Sequence, residues 1–260
     1  MFNIFKETKK IKFDFIQTNP FYIFKIENFL SDDEYSFIYE NFPKLENFNL
    51  KDIEGLHKKF SFNSRQKIYL DTLEKNKMVK FLHEKIFDKK FIKFFYQTLF
   101  NKIIITRLFD LKYLIKLIRF KRFGKKKRNF LDKFLFTDIF SDIEYSYLKN
   151  GAKIVPHTDS RQKMLSLMLY FPDKNLKEEE INKLGTTFYI NKKKNINNKH
   201  LISENEEENL KKTSLKKITL PFKKKNIYGF LRNDSSWHTV EEFTIEKNFV
   251  RKSLNINLYF

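Results

Sequence analysis

The feature that most constrains this chain is a change of texture near residue 140. From there onward, short runs rich in β-branched and aromatic residues follow one another: "IEYSYL", "AKIVPHT", "KMLSLMLYF", "GTTFYI", "KITLPF", "NIYGFL", "WHTVEEF" and "RKSLNINLYF". Runs this short, separated by polar turns, suit an all-β sandwich or jelly roll rather than a parallel sheet with crossover helices. The expected core therefore lies in residues 140–260.

The half that precedes it reads differently. "PFYIFKIENFL" predicts a short strand over Tyr22 to Ile26, followed by a helix entered at Ser31. Ser31 with Glu34 three residues on is a capping-box pattern, and Asp32 and Asp33 suit the positive end of a helix. That helix should stop before Pro43. Residues 71–100 place Val79, Leu82, Ile86 and Phe87 at helical spacing with lysines between them, which predicts two amphipathic helices facing a core. The fold class expected is α+β: a jelly-roll core in the C-terminal half, with residues 1–139 as helix-rich support within the same domain.

Two stretches stand apart. Residues 191–217, "NKKKNINNKHLISENEEENLKKTSLKK", are polar and low in complexity, and read as a long mobile connection between strands, a candidate lid. Residues 102–128 are basic and apolar in alternation. They could lie on an anionic membrane, but such a helix more often packs its apolar stripe on its own domain.

Net charge invites a nucleic-acid or membrane partner, since the formal value is +20. However, only eight of the 52 basic residues are arginine, the residue favoured for bidentate phosphate and base recognition. Lysine, asparagine, isoleucine and phenylalanine dominate together, as AT-rich codon usage would have it. The charge is thus weak evidence for nucleic acid. A chain without cysteine has no disulfides, thiolate-bound metals or cysteine nucleophile. With no signal-peptide pattern and no long uncharged apolar run, the expected location is the cytoplasm.

Five histidines are available for chemistry. In "VPHTDSRQKM", His157 and Asp159 are two residues apart, and on a strand such residues share a face. Alone the pair is more often an ordinary polar turn. His238 opens a strand near the C-terminus, after Trp237, and is placed to meet that pair across a folded sheet. His57 on a loop, His83 on a helix and His200 in the polar stretch have no such partners, and Arg161 reads as solvent-facing. A His-x-Asp plus a distant His is the ligand set of a facial triad with open positions, although zinc or manganese can occupy the same set and cupins share the architecture. Further on, Arg251 and Ser253 share a face of what reads as the hairpin partner of the His238 strand. A guanidinium fork beside a hydroxyl suits the far carboxylate of a dicarboxylate.

With these residues in hand, the region 140–260 resembles the Fe(II)/2-oxoglutarate-dependent dioxygenase superfamily, and within it the prolyl-hydroxylase-like group. The similarity rests on "YLKNGAKIVPHTD" with Tyr147, Gly151, His157 and Asp159, on "LSLMLYFPD" with Tyr170, on "LGTTFYI", and on Trp237, His238 and Arg251. Two departures are visible: Thr186 replaces the second glycine of a Gly-Gly turn, and Pro172 stands where asparagine is frequent. The resemblance implies that His157, Asp159 and His238 bind Fe(II). It implies that Arg251 pairs with the distal carboxylate of 2-oxoglutarate, that Tyr147 and Tyr170 hydrogen-bond this cosubstrate, and that Ser253 assists. It further implies hydroxylation of a C–H bond using O2, with succinate and CO2 as products and ascorbate as a candidate reductant. Peptidyl proline, a sugar or a small metabolite would all suit as substrate. Two other readings stay open: a cupin-like, non-oxidative metal enzyme, and a non-catalytic basic protein that docks on nucleic acid or membrane.

Overall fold

Alternation of apolar residues along the strands divides the molecule into layers. The computed structural model describes residues 11–48, 59–106, 139–191, 203–245 and 248–259. Eleven strands appear in chain order: β1 (Asp14–Gln17), β2 (Ile23–Ile26), β3 (Lys59–Asn63), β4 (Phe140–Lys149), β5 (Ile154–His157), β6 (Lys163–Phe171), β7 (Thr187–Ile190), β8 (Lys216–Thr219), β9 (Ile227–Leu231), β10 (His238–Val240) and β11 (Val250–Tyr259). The eight runs expected from residue 140 onward are β4 to β11. They form part of a seven-stranded sheet, ordered β1-β2-β9-β6-β11-β4-β3, and a four-stranded sheet, ordered β5-β10-β7-β8. From β4 onward, successive strands pass from one sheet to the other, except at the β7–β8 pair, and every pairing is antiparallel. This is a double-stranded β-helix, the jelly roll expected.

Helices cover the outer face of the larger sheet: α1 (Asp32–Glu40), α2 (Lys67–Lys75), α3 (Lys77–Ile86) and α4 (Lys89–Thr106). Phe60, Phe62, Ile143, Tyr145, Leu165, Leu167, Leu254 and Ile256 point from the sheet into one apolar layer with Val79, Leu82, Phe95 and Leu99 of the helices. Each such fully buried side chain contributes about 1.5–3 kcal/mol relative to exposure. On the inner face, Ile23, Tyr228 and Phe230 meet Phe188, Ile218 and Leu220 from the smaller sheet and the residues after it.

Helix α1 forms as its capping box predicts: Ser31 accepts from Glu34 N, and Glu34 accepts from Ser31 N at 2.9 Å. It ends at Glu40, before Pro43. Between residues 67 and 106 there are three helices rather than two. Polar caps break the periodic run: Asn76 accepts from Met78 N and Val79 N at the start of α3, and Asp88 accepts from Lys90 N before α4. Residues 1–139 also do more than support, since β1, β2 and β3 extend the larger sheet at both edges.

The polar stretch 191–217 is corrected in part. Residues Glu204–Thr213 form a helix, α6, after the short α5 (Glu178–Lys183), and Lys216–Thr219 form β8. Ser203 and Glu206 make a capping box, Glu207 pairs with Lys211 and Glu208 with Lys212, and Leu210 is fully buried against Tyr189 and Trp237. Glutamate four residues ahead of lysine is the favourable order on a helix. The helix thus braces the smaller sheet beside His238. His57, His200 and residues 107–128 lie outside the described residues. Among the described residues, no helix is long and apolar enough to cross a membrane.

Candidate metal centre

Strands β5 and β10 are neighbours in the smaller sheet, and their ladder places His157 directly opposite His238. The ring centroids are 4.3 Å apart. Asp159 follows just beyond the end of β5, and ligand atoms of His157, Asp159 and His238 all lie within 4.8 Å of one another. The structure therefore brings together the three residues chosen from the sequence.

Each histidine is held in one tautomer. The Nδ1 atom of His157 lies 2.9 Å from the Val155 carbonyl, and that of His238 lies 3.0 Å from the Ser236 carbonyl. A carbonyl only accepts, so Nδ1 carries the proton and Nε2 is left with its lone pair. Burial lowers the pKa of both rings, with the Asp159 charge opposing, and His238 is pulled down to about 3. Phe230 and Phe188 pack against His238, their centroids 4.7 and 5.8 Å from its ring. Both imidazoles are neutral at physiological pH, the form that ligates metal.

Asp159 is the counterpart. Burial alone would raise its pKa, but Lys163 and the two histidines outweigh burial and hold it well below the ordinary carboxylate value. Lys163 Nζ donates to Oδ1 at 2.7 Å, Ser166 Oγ donates to Oδ2 at 2.8 Å, and Arg232 Nε donates to the Asp159 carbonyl at 2.8 Å. Each carboxylate oxygen keeps a second lone pair, so the clamp orients the group and leaves it able to ligate. Two neutral imidazoles and one ionised carboxylate suit a divalent transition metal such as Fe(II).

Arg251 stands in the same cavity, whose volume is about 130 Å³. Its side chain is 2% exposed. Nε donates to the Leu184 carbonyl at 2.6 Å, Nη1 donates to Ser253 Oγ at 3.3 Å, and the guanidinium lies 5.1 Å from the Tyr170 ring centroid and 5.0 Å from that of Phe222. Burial lowers its pKa, opposed by Tyr170. No carboxylate among the described residues pairs with it, so the interior salt bridge that would make Arg251 purely structural is absent there. A buried cation without a counter-anion is costly, and the cavity offers an anion a place beside it.

Two expectations need correction. Arg251 is not on the hairpin partner of the His238 strand: β10 pairs with β5 and β7, whereas β11 pairs with β4 and β6 in the facing sheet. The site is built across the sandwich, not along one hairpin. Tyr147 is also misplaced as a cosubstrate contact. It lies one residue out of phase with Ser146, which lines the cavity, so its ring points into the helix-covered layer. There its hydroxyl donates to the Pro43 carbonyl at 2.7 Å.

Tyr170, by contrast, is on the inner face beneath Arg251. Its hydroxyl donates to Thr186 Oγ1 at 2.8 Å and accepts from Thr186 N at 3.2 Å. Thr186, a departure from the Gly-Gly pattern, thus anchors this tyrosine. The preceding Gly185 is required: a Cβ there would sit 1.5 Å from the Leu220 carbonyl oxygen. Arg161 is about half exposed and reaches Asp234 at 3.8 Å. His83 is structural, bonded through Nδ1 to the Tyr69 hydroxyl at 2.9 Å. Sequence reasoning missed Lys163 and Ser166 on β6, Lys59 on β3, Glu144 on β4, and Asn255 and Asn257 on β11, all of which line the cavity. The period-two string Arg251, Ser253, Asn255, Asn257 was a readable signal for the last two.

No family model matches the chain, and no curated protein matches it. Among solved structures, a prolyl-4-hydroxylase of Pseudomonas putida matches at a TM-score of 0.48 and 9% identity, covering 98% of this chain and 96% of that one. HygX of Streptomyces hygroscopicus, with nickel, 2-oxoglutarate and hygromycin B bound, matches at 0.44 and 8%, covering 91% and 82%. The epimerase SnoN, in complex with Fe3+, alpha ketoglutarate and nogalamycin RO, matches at 0.46 and 8%, covering 91% and 78%. At such identities the chemistry has to be argued from the residues themselves.

Proposed function

We propose that the chain is an Fe(II)- and 2-oxoglutarate-dependent dioxygenase that hydroxylates a C–H bond of its substrate, with succinate and CO2 as co-products. The observation that carries this reading is the shared cavity: three potential ligand atoms within 4.8 Å of one another, and a buried Arg251 without an acid partner among the described residues. His157, Asp159 and His238 would hold the iron, and iron, when bound, supplies O2 activation.

The protein's part is preparation. The Val155 and Ser236 carbonyls keep both imidazole Nε2 atoms free, and Lys163 with Ser166 keeps Asp159 ionised and oriented. Arg251 and Ser253 would receive the distal carboxylate of 2-oxoglutarate, fixing its register in the cavity, with the Tyr170 ring as platform. Phe188 and Phe230 dry the His238 side, which strengthens every charge interaction within. A cytoplasmic setting goes with this reading, for a cysteine-free chain has no disulfide for an oxidising compartment to maintain.

Anaerobic reconstitution with Fe(II), then addition of O2 and 2-oxoglutarate with ascorbate across a panel of peptides, sugars and small metabolites, tests it. Succinate formation that requires both O2 and 2-oxoglutarate is the expected result. Metal binding without 2-oxoglutarate binding would instead favour a non-oxidative metal enzyme, and absence of both would overturn the reading.

A further inference from the structure

A cavity of about 130 Å³ leaves little room beside 2-oxoglutarate, so a substrate has to meet the metal from the cavity's rim. Strand β11 shows which rim. Its inward-facing string begins at Arg251, runs through Ser253, Asn255 and Asn257 along the cavity, and ends at Tyr259. Asp159 lies over the far end of that string. It accepts from Ser166, which is opposite Asn257, and from Lys163, which is opposite Tyr259. With the cosubstrate seated at Arg251, the Tyr259 rim is the side of the metal that stays clear for a substrate.

That rim carries an aromatic platform outside the cavity. Tyr259 pairs with Phe140 across β11 and β4, and their rings stack with centroids 5.3 Å apart and planes 10° from parallel. Phe140 is 41% exposed. Arg65, in the turn after β3, lays its guanidinium 5.5 Å from the Phe140 centroid and 5.1 Å from that of Tyr259. Local contacts root this arginine: its backbone N–H donates to Asn63 Oδ1 at 3.0 Å, and Nε lies 3.6 Å from Asp142 Oδ2. Asp142 is also engaged by Ser64, whose N–H and hydroxyl donate to Oδ1 at 3.3 and 2.5 Å. The Arg65 side chain is 58% exposed, and among the described residues no hydrogen bond engages its guanidinium. A stacked, rooted guanidinium with its N–H edge in solvent is pre-organised to grip an oxyanion. Lys163 Nζ lies 5.9 Å from the Tyr259 centroid and 2.7 Å from Asp159 Oδ1, so the platform stands one side chain away from the metal centre.

We infer that Arg65, Phe140 and Tyr259 form the substrate dock, and that it takes a substrate bearing a carboxylate or phosphate group on an aromatic body. This rests on the dioxygenase reading above and adds a substrate class to it. Arg65 grips the anion, the ring lies against Phe140, and the rest of the substrate extends past Tyr259 and Lys163 towards the metal. Charge around the rim selects in the same direction. The acids nearest the dock are already paired, Asp142 with Arg65 and Asp159 with Lys163, so a cationic substrate meets no free carboxylate there. A neutral ligand leaves the guanidinium edge in water and gains only the ring contact, which is worth less than a charge-assisted pair.

The test uses the full chain loaded with Mn(II) and saturating 2-oxoglutarate without O2. Resonances of 3-phenylpropionate and phenyl phosphate, the carboxylate and phosphate arms, are titrated for paramagnetic broadening beside neutral 3-phenylpropanol and ring-free acetate and inorganic phosphate. The expected result is that at least one aromatic anion is broadened and binds more tightly than the alcohol and than its ring-free counterpart. Arg65→Gln should raise its Kd by about tenfold or more, and Phe140→Ala by about threefold or more. Both residues lie outside the cavity, so both variants should keep wild-type affinity for 2-oxoglutarate. Broadening of no probe, binding of the alcohol or the ring-free anions as tight as that of the aromatic anions, or affinities that Arg65→Gln leaves unchanged, overturns the dock while the dioxygenase reading stands. Failure of the Mn(II) protein to bind 2-oxoglutarate, measured before any probe is added, overturns the dioxygenase reading and the inference with it.

Discussion

His157 on β5 stands directly opposite His238 on β10, with ring centroids 4.3 Å apart, so the separation of these two side chains is set by a backbone ladder. Ligands carried on paired strands are held more precisely than ligands on loops. His157→Ala, Asp159→Ala and His238→Ala should therefore each remove a ligand without disturbing the sheet. Metal affinity should fall by more than the 10–100-fold typical of losing an outer partner, and succinate formation should vanish. Calorimetric Fe(II) or Mn(II) titration, with circular dichroism to check folding, measures this. Folded variants that keep wild-type metal affinity would rule out the assignment.

On the proposed reading Arg251 seats the cosubstrate anion, so its loss should separate cosubstrate from metal. Truncating one side of a buried charge interaction costs about 2–5 kcal/mol. Arg251→Gln should accordingly raise the KM for 2-oxoglutarate by roughly a hundredfold while metal affinity is preserved. Arg251→Lys should fall between, because it keeps the charge but loses the fork that spans the Leu184 carbonyl and Ser253. An equal loss of metal and 2-oxoglutarate binding in Arg251→Gln would point to collapse of the site instead.

Tyr147 gives the opposite separation. Its hydroxyl serves the Pro43 carbonyl in the helix-covered layer. Tyr147→Phe should lower stability by about 1 kcal/mol, read as a small drop in thermal midpoint, and leave the KM for 2-oxoglutarate where it was. A tenfold rise in that KM would restore Tyr147 to the site.

Much of this was legible in the sequence, for reasons that differ by residue. The eight C-terminal strands and the Ser31 cap are local, and local pattern suffices for them. Arg251 and Ser253 were found because period two puts them on one face whichever strand is their neighbour. Tyr147 failed because its role was carried by resemblance, while the phase of β4, which turns Glu144 and Ser146 inward, became visible only once β4 was paired with β11. The Lys59–Glu144 contact joins residues 85 apart in sequence, and no local signal predicts it. Helix α6 was hidden by composition: lysine, glutamate and asparagine suggest a solvated stretch, yet the Ser203–Glu206 box and one buried leucine decide otherwise.

His83 offers a pH test away from the metal centre. Burial lowers its pKa below the ordinary histidine value, with Glu84 opposing. The unfolded chain then binds this proton more readily than the folded one. Stability is unaffected well above pH 6.5 and falls as pH drops below it, until the folded pKa is passed. His83→Gln should shrink the loss of stability between pH 7.5 and pH 5 in urea unfolding. An unchanged pH slope in the variant would show that His83 titrates alike in both states.

Gly185 ties the fold to the Arg251 end of the cavity. An added Cβ would meet the Leu220 backbone carbonyl at 1.5 Å, and that backbone is fixed because Leu220 N donates to the Thr186 carbonyl at 2.9 Å. Relief by moving residues 184–186 is no easier, since Arg251 holds the Leu184 carbonyl and the Tyr170 hydroxyl holds Thr186. Gly185→Ala should thus cost about 3 kcal/mol or more, at or beyond the upper end of overpacking penalties. What stability remains should come with weaker 2-oxoglutarate binding, because Arg251 and Tyr170 move with the strand. Urea unfolding and the KM for 2-oxoglutarate report the two effects. A variant with wild-type stability would mean that β7 and the Leu220 segment do not approach this closely, and the seat argued for Arg251 would lose its support.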